Sequence, residues 1–428
     1  MQPTFIATFL LLFTLTLAAQ NNPPGPAQTG PIAVTGVTAH LGNGKVVEGA
    51  TILFKDGKIE RVGTEAAPAG YTVVNAMGKH AYPGAIALNS DLGLVEINAV
   101  RATQDGREVG TFNPHGRSQI AFNTDSRVTP TVRSRGILLA QPTPSGGLIS
   151  GRSSVMQLDG WNYEDATVRA DDGVHLNWPN RLSYNWRTGE LSPNKNYDEQ
   201  LTEFTNYLKQ ARAYCSAAGA AERGPVNLDY AALCPAFSAE ANAYLHVDQA
   251  ADIQAGIILL KSMGMKPVIY GGDEAYRIAD FLKKEQVSVV LNNVHALPGL
   301  ADDPIHQPFL NPRLLAEAGV PFALSVGGGW EQRNLLFNAG TAVGNGLDYE
   351  AAVRAVTLEP ARILGIDDRY GSLEAGKSAT LFISSGDALD MRTSVIEMAW
   401  IDGRPVNLEN KQDMLYEKFR GKYGEGKE

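Results

Sequence analysis

Positive charge is scarce at the start of this chain and never gathers into a block. The first Lys or Arg is Lys45, and Lys+Arg total 37 against 46 Asp+Glu, for a formal net charge of −9. Nucleic acid and anionic membrane surfaces need clustered cations, so this balance argues against both as partners. Cysteine is equally sparse, with 2 in 428 residues, which excludes a disulfide-built scaffold. Phosphate-binding loops are missing. Ser145-Gly146-Gly147 leads to no Lys-Ser/Thr pair, and Gly327-Gly328-Gly329 closes no such motif. Gly151-Arg152-Ser153-Ser154 lacks the strand–turn–helix setting of a nucleophilic serine. No internal repeat is visible, and beyond residue 19 no apolar run is long enough to span a bilayer. Histidine is present seven times, enough in number for a metal site, so position decides.

One apolar run stands at the start. Phe5–Ala19 is interrupted only by Thr8, Thr14 and Thr16. Its fifteen residues reach about 22 Å as a helix, short of a bilayer core of about 30 Å. Ala18-Ala19 and then Gln20-Asn21-Asn22-Pro23-Pro24 end it. The pattern predicts a signal peptide over 1–19, with a membrane anchor as the alternative. A Pro/Gly linker over 20–31 follows, and the protein is expected to be exported, periplasmic or extracellular. Export gives the cysteines two readings. Leu201, Phe204, Leu208, Ala211 and Cys215 follow helical spacing, and Cys234 lies beyond a Gly/Pro-containing stretch. Either the two form a bridge, contributing on the order of 3 kcal/mol, or both are buried thiols.

Strand-like runs at 32–39, 50–54 and 58–62 are joined by Gly42-Asn43-Gly44 and Lys55-Asp56-Gly57-Lys58 turns. Similar runs return at 379–383 and 397–401, with an Asp402-Gly403 turn. Together they predict a small β-sandwich domain built from both chain ends, 32–82 and 366–408. Between them, over 83–365, apolar strand-like runs alternate with helical patterns, which predicts an α/β fold, a TIM-like (β/α)8 barrel. Seven strands are visible, at 85–88, 136–140, 173–176, 243–247, 267–270, 287–291 and 321–325. The fourth is expected near 220–240. The polar, Gly/Pro-rich stretch 98–170 is expected to form loops over the C-terminal face. Residues 409–428 read as a tail.

Several segments carry a resemblance. Tyr82-Pro83-Gly84-Ala85-Ile86 leads from the sheet domain into the barrel. Lys55-Asp56-Gly57-Lys58-Ile59 lies in the first sheet segment, and Leu245-His246-Val247-Asp248-Gln249 ends a strand. The runs from Thr357 to Gly365 and from Gly371 to Leu381 complete the set. Together they resemble the amidohydrolase superfamily, and within it the imidazolonepropionase-related branch. The resemblance covers nearly the whole mature chain. It implies hydrolysis of non-peptide carbon–nitrogen bonds with one or two divalent metals such as zinc. The metal would acidify a bound water and polarise the substrate carbonyl. It implies ligands in a His-x-His after the first strand, a His after the fifth and the sixth, and an Asp after the eighth.

This sequence departs from that set. The first motif reads Asn89-Ser90-Asp91, Gly271 stands at the sixth-strand step, and Val326-Gly327 stands at the eighth. Only the fifth-strand His246 is kept. An amide is a poor zinc ligand and a glycine offers none. The degenerate metal positions are therefore Asn89, Asp91, His246, Gly271 and Gly327. His246 reads either as a ligand with Asp91, Asn89 and Asp273 in reach, or as a buried structural histidine; one imidazole and one carboxylate fall below the usual ligand count and favour the second. A weak oxygen-rich site for Ca²⁺ or Mg²⁺ stays open. The substrate-pocket candidates are Asp91, His246, Asp273 and His295. A relocated site from His115, His295 and His306 is a further alternative. Two functions are expected. One is a non-catalytic protein that binds a small molecule or partners an intact amidohydrolase relative, as a homo-oligomer or heteromer. The other is an active hydrolase with an altered or metal-poor site.

Overall fold

The computed structural model describes residues 23–185, 187–217, 226–299 and 303–424. The expected signal peptide lies outside the described residues. No helix among them is long and apolar enough to cross a membrane.

The chain opens with β1 (Ile32–His40), β2 (Val46–Lys55), β3 (Lys58–Gly63), β4 (Thr72–Asn75) and β5 (His80–Pro83). Asp56 and Gly57 both take positive φ, 50° and 78°, the conformation a two-residue hairpin turn between β2 and β3 requires. The barrel strands follow: β6 (Ala85–Ser90), β7 (Ile137–Pro142), β8 (Ile149–Gln157) and β9 (Thr167–Asn177). A hairpin of β10 (Leu182–Asn185) and β11 (Glu190–Pro193) interrupts them. β12 (Asn242–Val247), β13 (Lys266–Gly271), β14 (Val289–Leu291) and β15 (Phe322–Leu324) complete the barrel. The chain returns through β16 (Leu381–Ser384), β17 (Ile396–Ile401) and β18 (Arg404–Pro405).

β5 joins the two chain ends. It pairs parallel with β1 on one side and antiparallel with β16 on the other, giving one sheet in the order β18-β17-β16-β5-β1-β2-β3, with β4 beside β1. Val34, Ile52, Phe54, Ile59, Leu381 and Trp400 form its own buried core. The second sheet runs β15-β14-β13-β12-β9-β8-β7-β6 and curls into a nearly closed barrel. At the seam, the Ser325 hydroxyl donates to the Leu88 carbonyl at 2.7 Å.

Among the described residues no strand falls near 220–240; Leu228–Phe237 is a helix. The strand missing from the sequence reading is the third, β8, inside the stretch expected to be loops. It runs antiparallel to both neighbours. Antiparallel strands need only a short turn, so β7, β8 and β9 lack the crossover helices whose spacing would have marked them. Gly151, Arg152, Ser153 and Ser154 also break the apolar pattern of β8, yet both serines are fully buried. The helix Tyr197–Ser216 buries Phe204, Leu208 and Ala211, as its spacing predicts. Cys215 and Cys234 are joined by a disulfide, with Cα atoms 5.4 Å apart, tying this helix to Leu228–Phe237. Within the expected tail, Lys411–Tyr423 is a helix capped by Asn410, whose side chain accepts from the Gln412 and Asp413 N–H groups.

Candidate functional site

The barrel interior is polar. Tyr270 on β13 donates its hydroxyl to Gln141 on β7, four strands away in the sheet, a contact that has to cross the inside of the barrel. Strand alternation puts Tyr244 and His246 of β12 on the same inward face, and the His175 ring of β9 stacks on Tyr244 with centroids 4.8 Å apart. Asp172 sits among them, fully buried. Its carboxylate accepts from Ser153 Oγ at 2.8 Å, Gln141 Nε2 at 2.9 Å and the Tyr244 hydroxyl. Burial raises its pKa, and those three donors pull it back down.

His175 Nδ1 and His246 Nε2 are 2.9 Å apart, one donating to the other. Burial holds His175 well below the ordinary imidazole range and pushes His246 down to about 4. At these two rings the folded state therefore binds fewer protons than the unfolded chain below about pH 6.5. The contribution of His246 to stability is full above that pH and is lost as pH falls toward 4. We expect the stability difference between wild type and His246→Asn, measured by denaturant unfolding, to shrink by on the order of 3 kcal/mol from pH 7 to pH 4. A difference independent of pH would contradict this. Carboxyl groups that gain protons over the same window act in both proteins and cancel.

At the barrel mouth the strand ends are shaped by backbone. Asn89 is left-handed, with φ 51°. Asp91 lies against Gly329, where an added β-carbon would stand 2.7 Å from its Oδ1. Burial, and then the charge of Glu331, raise its pKa. Gly271 has φ 99°, and a β-carbon there would stand 2.2 Å from Asp248 Oδ1. Asp248 thus occupies the space a side chain at 271 would enter. Gly327 has open space around it. Among the described residues, no group of three or more His, Cys, Asp or Glu side chains is placed to hold a metal ion.

A cavity of about 340 Å³ opens beside these strand ends. The β10–β11 hairpin roofs it through Leu182 and Leu191, with Trp178, Pro179 and Val247 continuing the apolar wall. Its acidic lining is Asp248, Asp252, Asp273, Glu274 and Asp303. The nearby cations are already engaged. Arg181 grips Asp252 through two nitrogens, at 2.9 and 2.6 Å, and lies 4.6 Å over the Tyr197 ring. Tyr197 also donates to Asp252 at 2.9 Å, which fixes the base of the hairpin. Arg277 pairs with Asp303 at 2.6 Å. Among the described residues no ion pair reaches Asp248 or Asp273. Burial, then the charge of Asp273, push Asp248 up to about 6. Asp273 is raised by burial and by Glu274 and Asp303. A larger cavity, about 470 Å³, lies where strands begin, beside Lys266, Arg354 and Arg362. It is at the opposite barrel end from His246, and both arginines hold Glu359.

Of the four expected pocket residues, Asp273 alone lines the mouth cavity. His295 turns away, its Nε2 2.6 Å from Thr341 Oγ1. His115 pairs with Asp229 at 2.5 Å and His306 lies beside Phe309, so the relocated trio is not brought together. Sequence reasoning missed Asp248, although it lies two residues beyond His246 in the same strand-end motif. It also missed the hairpin and its Arg181–Asp252 anchor.

Residues 325–407, from the seam of the barrel through the return strands, match the model of an amidohydrolase family. An amidohydrolase from Thermotoga maritima MSB8 of known structure is similar at 23% identity and a TM-score of 0.75, covering 88% of this chain and 99% of its own. A prolidase complexed with N-methylphosphonate-L-proline is similar at 15% identity and TM-score 0.57, covering 88% and 99%. Molinate hydrolase is similar at 14% identity and TM-score 0.51, covering 89% and 95%. No curated protein sequence matches the chain. The fold is that of the amidohydrolases, and the family match covers residues 325–407 of the chain.

Proposed function

We propose that this chain is an exported, amidohydrolase-type barrel without a hydrolytic metal centre that binds a small organic molecule at the barrel mouth. Its nearest chemistry is that of the imidazolonepropionase-related branch, a reading supported by the strand-end and C-terminal motifs. One observation carries the proposal: the Asp248 carboxylate stands where a ligand at 271 would project. The donors present do not fit the metal this fold implies. His246 Nε2 is engaged by His175, and Asp91 faces Gly329 and Glu331. The cavity suits a compact molecule with a positively charged nitrogen and an apolar body. Asp248 and Asp273, which no ion pair reaches among the described residues, would face the charge. Trp178, Leu182 and Leu191 would cover the rest.

Amines and guanidines with an apolar group are expected to raise the melting temperature, and carboxylic acids of equal size are not. Affinity is expected to rise with pH from 5 to 7, as Asp248 ionises around its pKa of about 6. The Asp248→Asn/Asp273→Asn double variant should raise Kd at least about tenfold by calorimetry. Equal binding of cations and acids, or an unaffected double variant, would contradict the reading.

A second reading has its own observation. A carboxyl with a pKa near 6 in a cavity is suited to acid–base work. Turnover of dipeptides, lactams or cyclic imides that is lost in Asp248→Asn would make the chain a metal-independent hydrolase. A partner role beside an intact amidohydrolase relative is compatible with either reading; co-purification tests it.

A further inference from the structure

A second buried polar cluster lies far from the mouth, where the sheet domain meets the barrel. His40 ends β1 and is buried. Its Nδ1 is 2.6 Å from Glu350 Oε1, on the barrel helix Tyr349–Val356, and its Nε2 is 3.2 Å from His80 Nδ1 on β5. Its ring lies flat on Tyr82, with centroids 4.5 Å apart and planes within 2°. Tyr82 and Tyr349 share a hydrogen bond of 2.9 Å, and Tyr349 donates to Asp387 at 2.6 Å. These are the titratable groups facing the pair from the packed elements. Lys79, next to His80, is held by Glu397. The second oxygen of Glu350 is buried without a partner among the described residues, so its link to the sheet domain is the His40 contact.

We propose that His40, Glu350 and His80 form a proton-operated latch between the sheet domain and the barrel. With both rings neutral, His40 Nδ1–H donates to the Glu350 carboxylate and His40 Nε2 accepts from His80 Nδ1–H. One added proton leaves the contact standing: whichever ring carries it, a single N–H still lies between His40 Nε2 and His80 Nδ1, and His40 Nδ1–H still faces Glu350. A second proton has no such place. It sets His40 Nε2–H against His80 Nδ1–H, two donors and two like charges across 3.2 Å. That contact has to break, and the stacked His40 ring moves with it. Burial and the neighbouring His40 both disfavour a charged His80, so opening belongs to acid conditions.

Hydrogen exchange of the full chain tests this. Between pH 7 and pH 5, amides of Tyr349–Val356 and Ile32–His40 are expected to gain at least about tenfold more in intrinsic-rate-corrected exchange than those of β12, which follow the pH dependence of global stability. His80→Gln, which keeps a donor but cannot take the second proton, is expected to bring them level with β12. Opening in both proteins, or in neither, would overturn the latch. A wild-type measurement stands beside the variant should it fold poorly. The NMR titration midpoint of His80 has to coincide with the midpoint of opening, and separate midpoints would overturn the proposal equally.

Discussion

Replacing Gly271 with histidine is expected to destabilise the protein by about 3 kcal/mol or more, without creating a metal ligand. Two costs add. The backbone at 271 lies at φ 99°, outside the regions open to side-chain-bearing residues. The new β-carbon would stand 2.2 Å from Asp248 Oδ1, and 3.1 Å from the Val247 carbonyl behind it. That carbonyl is not free to turn aside, because it accepts from the Gly272 N–H at 2.9 Å. Denaturant unfolding checks the stability, and metal analysis of the variant checks the chemistry. A Gly271→His protein as stable as wild type that takes up zinc would show that the strand end is more adaptable than this geometry allows.

Asp159→Ala is expected to cost about 3–5 kcal/mol, because it leaves the buried Arg133 and the half-buried Arg404 without their carboxylate. Asp159 is 3% exposed and Arg133 5%. Arg133 reaches Asp159 Oδ1 at 2.7 Å, while Arg404 at 3.2 Å and the Gly25 N–H at 2.8 Å converge on Oδ2. Arg404 also donates to the Gly25 carbonyl and to Gln157 Oε1. One carboxylate therefore fastens the end of β8, the return strand β18 and the segment leading into β1. The loss should appear as a lower denaturant midpoint at unchanged slope. A loss below about 1 kcal/mol would show that water reaches these arginines and that the cluster behaves as a surface pair.

Much of the architecture was legible because it rests on local pattern. The ends-joined sheet followed from Lys55-Asp56-Gly57-Lys58 and Asp402-Gly403 turns between alternating residues. Seven barrel strands followed from apolar runs between helical patterns. β8 was not legible, because its buried serines are paid for by a partner 19 residues away, Asp172 for Ser153. Hydrogen bonding between strands leaves no periodic trace in either one. The site divides the same way. The departures at Asn89, Gly271 and Gly327 are visible as residue types. That Asp248 fills the room beside Gly271, or that His246 is held by His175, depends on the pairing of β12 with β13 and β9, which no local signal carries. The seven histidines show the point most plainly. Two pairs of them, His175–His246 and His40–His80, bond to each other.

Metal uptake by the purified full chain tests the central claim most directly. Protein stripped with chelator and then dialysed against zinc, manganese or iron(II) is expected to retain far less than one ion per chain, with an unchanged melting temperature. Near-stoichiometric metal, abolished by Asp91→Ala or His246→Ala, would contradict the account and return the chain to the metal-dependent hydrolases.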